Sequence, residues 1–570
     1  MGILGNLLLR QVPWGLNAFL FVTAFVAGAG MIALRRRPEL LTAQNIALGG
    51  AMVFFSGMFV WRDSIQLRVF DTFAIVILMG VLMLSSMKVT AKIGGLFHYA
   101  IGTIWAGISS LFAPAMLLST DVKWAAIPKM GWSRHLIAAV RGLLIALPLI
   151  LVFGALFAAA DAVYAGMIER IFNIPSETVF THVLLTAVFF WLTAGYYRGL
   201  LLGFDTSDAV PASAAEAAAA SNNSNLSIFE QVKAEEVVNP DALPNNATIL
   251  DHINKSDPPN AESAPASASV PEKKAWQWQN FDNSVVPQAF TLGVIETSIV
   301  LGLINLLFLS FVIVQVPYLF GGMELVQNTP DFKLAEYARR GFGELVVVTG
   351  LVLPILLLTH WLLRKDNPLN EKLYRIFAGI QIVLLFVIMA SAVQRLVLLT
   401  GDLGYGLTTV RFYPMVVMIW FAIVFIWFGF TVLRGARQYF AWGALWSAIF
   451  VLAGLHALNP DDFIVRTNIA LMKQGREFDA QYNAGLSDDA IPALLEGMPE
   501  MSLEDRCYIG SSIHYRYREL GQMTDLRSVN LSRISAFREL RANDGLLHQT
   551  EGCPASYHND KNPDGSDMNH

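Results

Sequence analysis

The hydrophobic positions of this chain fall in long, nearly unbroken runs separated by short polar segments. Runs of about 20 mainly apolar residues are what a helix needs to cross the hydrocarbon core of a bilayer. Eleven runs have this character, at residues 14–34, 44–61, 69–86, 95–118, 136–160, 179–202, 290–314, 343–363, 373–399, 412–433 and 440–458. They predict an all-α, polytopic transmembrane helical bundle. A β-barrel is not expected, because the runs are too long and do not alternate with period two.

The spacing of the runs predicts the domain organisation. Residues 1–203 form an N-terminal bundle of about six spans, in which the fourth run contains glycines, serines and Pro114 and also suits a re-entrant segment. Residues 204–285 are rich in Ala, Ser, Asn, Pro and Glu and predict a disordered linker. Residues 286–458 supply about five more spans. A soluble helical tail follows at 459–555, and 556–570 form a frayed terminus.

The tail has a helical pattern of its own. Ser487 can cap a helix that starts near Asp488, and Ile491, Leu494 and Leu495 then form an apolar stripe. Several short helices packed together are therefore expected after residue 459.

Composition agrees with a membrane protein. Hydrophobic residues make up 54% of the 570 residues and charged residues 15%, against about 25% charge in soluble domains. The lipid bilayer is thus the expected partner. A net charge of −5 gives no basic field for nucleic acid, so nucleic-acid binding is not expected. The N-terminus lacks a convincing cleavage site and is interpreted as a retained first span.

Charge and cysteine positions bear on orientation. Basic residues in two short loops, at 364–375 and 434–437, favour a cytoplasmic location for that side, whereas Arg35, Arg36 and Arg37 favour the opposite assignment. Both cysteines, Cys507 and Cys553, lie in the tail, where they could form a disulfide in an oxidising compartment or remain unlinked thiols. The predicted orientation has a cytoplasmic N-terminus and linker and an extracytoplasmic tail.

Ionisable and polar residues in apolar segments are costly and define the candidate site. The candidate intramembrane polar cluster consists of Glu296, Asn305, Gln315, Arg340, Glu344, Tyr405 and Arg411. One interpretation is structural: Arg340 and Glu344 are four residues apart and pair on one helix face near the membrane boundary. The other is functional: Glu296, Glu344 and Arg411 converge to bind an ion, a proton or an anionic substrate.

Searches for catalytic constellations find none. The chain has no phosphate-binding loop of the Walker type, no nucleophile elbow, no H-E-x-x-H and no Cys-x-x-Cys. His98, His182 and His360 have no partner at metal-ligand spacing. No catalytic residue, metal or cofactor is therefore predicted.

Several of these stretches together resemble one protein family. They include GYYRG at 195–199, QVPYLFGG at 315–322, YARRGFGE at 337–344, YGLT at 405–408, LSDDAIPAL at 486–494 and NLSR at 530–533. The chain resembles bacterial multi-pass membrane proteins that carry the domain of unknown function numbered 4173. The resemblance implies a polytopic bacterial membrane protein whose tail belongs to the domain, and it implies no particular activity.

Three functions remain as hypotheses. The leading one is a non-enzymatic sensor, scaffold or partner-binding protein of the bacterial inner membrane, with a possible protein partner bound through the tail. The alternative is a proton- or ion-coupled transporter that uses Glu296, Glu344 and Arg411. The third is an enzyme that acts on lipid or envelope polymer.

Overall fold

The chain is helical throughout the part that the computed structural model describes. That part comprises residues 1–121, 176–203, 291–320, 342–364, 367–400, 406–521 and 525–545. The helices within it are α1 Gly2–Leu9, α2 Leu16–Arg36, α3 Ala43–Trp61, α4 Ile65–Met83, α5 Leu96–Met116, α6 Ser176–Leu202, α7 Val294–Phe320, α8 Phe342–Leu362, α9 Pro368–Thr400, α10 Thr409–Thr431, α11 Phe440–Leu458, α12 Pro460–Lys473, α13 Ala480–Ala484, α14 Ile491–Gly497, α15 Leu503–Gly521 and α16 Leu531–Ala542.

Ten of these helices, α2 to α11, contain an apolar stretch long enough to cross a membrane. The prediction of an all-α polytopic bundle is therefore confirmed. The weakest predicted run is a helix, α5, with Pro114 near its end. The predicted span at 136–160, the linker at 204–285 and the terminus at 556–570 lie outside the described residues.

The ends of the spans define two faces of the bundle. On one face the backbone N–H of Lys92 donates to Gln44 Oε1 over 3.4 Å, and Lys92 Nζ lies 5.9 Å from the centre of the Tyr439 ring. The start of α3, the loop after α4 and the start of α11 therefore adjoin. Lys and Arg are frequent there, at residues 35–37, 88, 92, 364, 372, 375, 434 and 437, and we call it the basic face.

The opposite face carries the C-terminal helices α12 to α16, which we call the tail domain. Asn459 ends α11 in a left-handed conformation, with φ of 57°, and Pro460 starts α12 directly. This sharp turn leads the chain out of the last span and into the tail domain. We call this side of the bundle the tail face.

The tail domain shares a hydrophobic core with the spans. Ile464, Leu494 and Ile513 of the tail domain are buried in one cluster with Leu67 of α4 and Leu455 of α11. Burial of each such side chain stabilises the fold by about 1.5–3 kcal/mol. The predicted stripe is part of this core, since Ile491, Leu494 and Leu495 are all buried, which confirms that interpretation.

The N-terminus lies against the tail domain, which corrects the predicted orientation. Leu16 N–H donates to Val529 O over 3.1 Å, and Arg527 Nη1 donates to Leu7 O over 2.7 Å. The prediction that the N-terminus is cytoplasmic while the tail is extracytoplasmic is wrong, because residues in hydrogen-bond contact lie on one face of the bundle. The C-terminal end of α2, with Arg35 to Arg37, lies on the basic face instead.

The two halves of the chain also meet inside the bundle. Residues 1–201 and 281–570 group as one compact unit, and in the described part Arg62 Nε donates to the carbonyl of His456 over 2.9 Å. Helix α4 of the first half packs on α11 of the second. This contact between α4 and α11 positions the site described next.

Candidate functional site

A buried carboxylate of the tail domain joins it to the first half of the bundle. Asp489 lies in the short 3-10 turn Asp488–Ala490, and its side chain is fully buried. Its Oδ2 accepts the backbone N–H groups of Asp63 over 2.7 Å and Ser64 over 2.9 Å. These two N–H groups precede α4, so a carboxylate from the tail domain satisfies donors at the start of a transmembrane helix.

The other oxygen of Asp489 completes the junction. Arg62 Nη1 lies 3.5 Å from Oδ1, and the Ser532 hydroxyl of α16 donates to the same oxygen. Asn530, the N-cap of α16, donates from Nδ2 to the carbonyls of Phe59 and Arg62, each over 2.8 Å. Helix α16 is therefore held directly to the loop between α3 and α4.

Alternating charges extend from this junction. Asp63 Oδ1 accepts Arg68 Nη2 of α4 and also Arg533 Nη2 of α16, the second over 2.7 Å. Asp488 lies 3.8 Å from Arg533 and 3.7 Å from Arg516. All of these side chains are at most 19% exposed, so water screens the pairs only weakly. We call Arg62, Asp63, Arg68, Asp488, Asp489, Arg516 and Arg533 the junction network.

Two acidic groups, Asp488 of the junction network and Asp461 beside it, are protonated more easily than usual. Burial, assisted by the charge of Asp63, raises the pKa of Asp488 to about 6, although Arg516 and Arg533 oppose the shift. Burial also raises the pKa of Asp461, at the start of α12, against the hydrogen bonds that it accepts from the Ser487 hydroxyl and backbone. Ser487 is at the predicted N-cap position of the 3-10 turn, but its hydroxyl donates to Asp461 and does not cap the turn.

A buried acid–histidine pair lies deeper in the bundle. Asp71 Oδ1 of α4 is 2.9 Å from His456 Nε2 of α11, and both side chains are at most 1% exposed. Asp71 Oδ2 and His456 Nδ1 are buried without a hydrogen-bond partner among the described residues. One proton can be shared between Oδ1 and Nε2. Ionisable groups at membrane depth are expensive, which makes this pair a functional candidate.

Helix α4 connects the pair to the junction network. Asp71 follows Arg68 by three residues, so the two lie on adjacent positions of one helix face. Helix α4 begins at Ile65, so Asp71 is six residues, or about 9 Å at 1.5 Å per residue, into the helix. The pair therefore lies less than one turn beyond Arg68, the member of the junction network on α4. A change at either level can act on the same helix.

An apolar cavity of about 240 Å³ lies beside this pair, between α4, α10 and α11. Phe70 and Phe73 of α4, Val416 of α10 and Leu452 of α11 are among its lining residues. The Tyr413 ring also lines it, while the Tyr413 hydroxyl is 3.3 Å from Ser64 Oγ near the junction network. The cavity adds mainly apolar surroundings to the site.

The structure does not bring Glu296 and Arg411 together. Glu296 lies in the first turn of α7, is exposed, and accepts the backbone N–H of Gly293 over 3.0 Å. This end of α7 adjoins Leu362 at the basic face, since Leu292 N–H donates to Leu362 O over 2.8 Å. Arg411 is in the first turn of α10 at the tail face and donates to the carbonyl of Gly406.

The remaining predicted site residues are distributed as follows. Asn305 is buried and donates to the carbonyl of Phe377 over 3.0 Å, which joins α7 to α9. Gln315 is in α7, and Glu344 is in the first turn of α8, whose other end is at the basic face; the side chains of these two residues are not described. Arg340 and Tyr405 lie outside the described residues, so the Arg340–Glu344 pair stays a prediction.

The cysteine prediction also stays open. Cys507 is buried in α15 of the tail domain. Cys553 lies outside the described residues. The disulfide between them is therefore still a prediction.

Sequence reasoning missed Asp71, His456 and the junction network. Asp71 had a visible signal, because it is a carboxylate three positions into the apolar run at 69–86. His456 likewise lies inside the last run. Asp63 had none, and Asp489 and Arg533 stood out only within short motif pieces, because all three belong to loops or to a polar helix, where charges are ordinary.

Comparison with known proteins identifies the family. A family model described as Domain of unknown function (DUF4153) matches residues 49–230 and 260–497, which is more than half of the chain. No curated protein and no solved structure matches. The expected resemblance to the family numbered 4173 is therefore wrong. Its supporting pieces are short and separated by apolar runs, which any polytopic protein contains. The matched ranges include Asp63, Asp71, His456 and Asp489 and end before Arg533.

Proposed function

This chain belongs to the DUF4153 family, and from that premise we propose that it is a non-enzymatic sensor or scaffold of the bacterial inner membrane whose tail domain binds a protein partner. That it is an integral membrane protein follows from its ten membrane-length apolar helices in the described part. The site supports a coupling role best, because its charged groups hold two parts of the molecule together.

The hydrogen bonds from Asp63 and Ser64 to Asp489 are the observation that carries the proposal. A simple solubilising tail needs no buried charge, and a buried charge costs several kcal/mol unless it is paired and hydrogen-bonded. Here the charge is paired across the boundary between tail domain and spans. An event at the tail surface therefore reaches α4, and through α4 the Asp71–His456 pair.

In-cell photocrosslinking tests this proposal. Tyr515 of α15 is 72% exposed and is a suitable position for a photoreactive residue in the tail domain. We expect a discrete adduct with a second protein from position 515, and we expect its yield to change in D489A. The matched control is D462N, since Asp462 is in the tail domain but pairs at the surface with Arg466. A full-length, membrane-inserted chain that gives only lipid adducts from position 515 contradicts partner binding.

Proton- or ion-coupled transport is the second candidate, and the Asp71–His456 pair favours it. The pair has two unpartnered polar atoms at membrane depth among the described residues and lies between the two halves of the chain. The earlier basis in Glu296, Glu344 and Arg411 is weakened by the positions of Glu296 and Arg411 on opposite faces. If transport is the function, D71N in proteoliposomes with an internal pH indicator will change proton flux at an imposed pH gradient. Equal flux in the wild type, D71N and empty vesicles contradicts it.

We propose that the basic face is cytoplasmic, so that the tail domain and the N-terminus are both extracytoplasmic. The basic residues of the short loops gather on that face, and short cytoplasmic loops carry an excess of Lys and Arg. In a C507S/C553S background, a thiol-reactive, membrane-impermeant reagent applied to intact spheroplasts should label Y515C and spare K92C. Labelling of K92C alone contradicts this orientation.

A further inference from the structure

A second cavity, with a polar lining, lies on the tail face, away from the junction network. Its volume is about 330 Å³, and its lining residues are Asn6, Leu7, Arg10, Gln11, His182 and Arg527. They come from three separate parts of the chain: α1 with the residues after it, α6, and the segment before α16. The junction network and the Asp71–His456 pair contribute nothing to it.

The lining is rich in hydrogen-bond donors and contains no carboxylate. Arg10 donates from Nη1 to His182 Nε2, and the Asn6 amide lies against His182 Nδ1, with Nδ2 at 2.9 Å and Oδ1 at 3.2 Å. Arg10 lies beside the cavity, and the lining holds no acidic residue to balance its positive charge.

Arg527 is the second cation, and its position is held firmly. Its guanidinium pairs with both oxygens of Asp525, with Nη2 2.6 Å from Oδ2, and Nη1 donates to the carbonyl of Leu7. Asp525 balances Arg527 from outside the lining, so the charge of Arg10 remains. Arginine and amide donors around a cavity without an acid are the arrangement that binds phosphate.

The surroundings indicate the depth of the cavity relative to the bilayer. Helix α1, with the sequence GILGNLLL, leaves Ile3 and Leu7 exposed, and Trp14 is 40% exposed with its indole N–H donating to the carbonyl of Leu9. A short apolar helix followed by a tryptophan is typical of the membrane interface. The phosphate groups of phospholipids lie at this depth.

We propose that this cavity binds a phosphate group, held by Arg10 and Arg527 with the Asn6 and Gln11 amides as neutral donors. The phosphate of an anionic phospholipid headgroup and free inorganic phosphate share this chemistry. A phosphate held here bridges α1 and the residues after it to the segment that leads into α16.

Thermal unfolding of the purified full-length chain in a neutral detergent tests the proposal. The probes are phosphatidylglycerol, phosphatidylcholine and inorganic phosphate, each titrated separately. We expect a saturable rise in melting temperature with phosphatidylglycerol, or with inorganic phosphate, that exceeds the rise with phosphatidylcholine. A response to the lipid alone assigns the site to a headgroup, and a response to inorganic phosphate at millimolar concentration assigns it to the free anion.

The variants separate this cavity from general lipid effects. R10Q should weaken the apparent affinity about tenfold or more, since one charge-assisted hydrogen bond is lost. R35Q, which removes an exposed arginine of the basic face, is the matched control and should bind as the wild type does. Q11E is the second variant, because it places a carboxylate in the lining without removing an arginine, and it should also weaken binding. Equal responses to all three probes, or wild-type affinity in R10Q and Q11E, overturn the proposal.

Discussion

Removal of the Asp489 carboxylate should detach the tail domain from the spans locally. In D489A the N–H groups of Asp63 and Ser64 lose their acceptor, and Arg62 loses the carboxylate 3.5 Å away. A buried donor left without a partner costs about 1–3 kcal/mol. Two such donors and a broken buried ion pair therefore give about 4 kcal/mol, within the range of about 3–5 kcal/mol for loss of one partner of a buried pair.

The assay is hydrogen exchange of the two N–H groups themselves. A loss of about 4 kcal/mol corresponds to a change of nearly 1,000-fold in the opening equilibrium, at tenfold per 1.4 kcal/mol. Amides of residues 61–66 and of Asp488–Ala490 should lose protection together in D489A, while amides in the middle of α9 keep theirs. D462N, at a surface pair, should change protection by less than about threefold.

Two results would contradict a local role of the Asp489 carboxylate. If residues 61–66 exchange in D489A within a few-fold of the wild-type rate, the carboxylate does not hold the start of α4 to the tail domain. If α9 loses protection to the same extent, the whole bundle has been destabilised and the effect is not local. D489N is a useful companion, because its amide keeps one acceptor oxygen but places donors near the remaining donors.

Three further predictions concern the same region. Burial raises the pKa of Asp488 from 3.8 to about 6. The stability that protonated Asp488 contributes is therefore present below pH 4 and is lost as the pH rises through 6. D488N should flatten the fall in melting temperature between pH 4 and 7, and an unchanged profile contradicts this. H456L should lower the free energy of unfolding by about 3–5 kcal/mol, because it leaves Asp71 unpaired. The double variant D71L/H456L should lose less than the sum of the two single variants. Additive losses argue against an interaction between Asp71 and His456. N530A should cost about 3 kcal/mol, because it loses the two hydrogen bonds that Asn530 donates and the N-cap bond that it accepts from Arg533. N543A, a half-buried control at a helix end, should cost almost nothing, and equal losses in the two variants contradict the role of Asn530.

Most of the fold was predictable from hydrophobic length. A backbone in hydrocarbon must satisfy its hydrogen bonds internally, so an apolar run of about 20 residues has one stable conformation available. All ten described spans correspond to predicted runs. The stripe of Ile491, Leu494 and Leu495 was predictable for a related reason, because helical periodicity is a local property.

The orientation and the family were harder to predict from the sequence. Counting eleven runs and alternating the sides placed Arg35 to Arg37 opposite Arg434 and Arg437, whereas contacts place both groups on the basic face. The membrane side of each loop is assigned by counting the spans before it. One misjudged span therefore reverses the predicted side of every loop that follows. Short motif pieces led to the wrong family because each is weakly specific.

The sequence by itself therefore determined a helical membrane bundle with a helical tail, because both depend on the polarity and periodicity of neighbouring residues. The candidate site came from folding in three dimensions. Asp63 and Asp489 are 426 residues apart and Asp71 and His456 are 385 apart, and no spacing rule links such positions. Their partners were selected by the packing of α4 on α11 and of α16 on the loop before α4, which removes water and makes every unpaired charge costly.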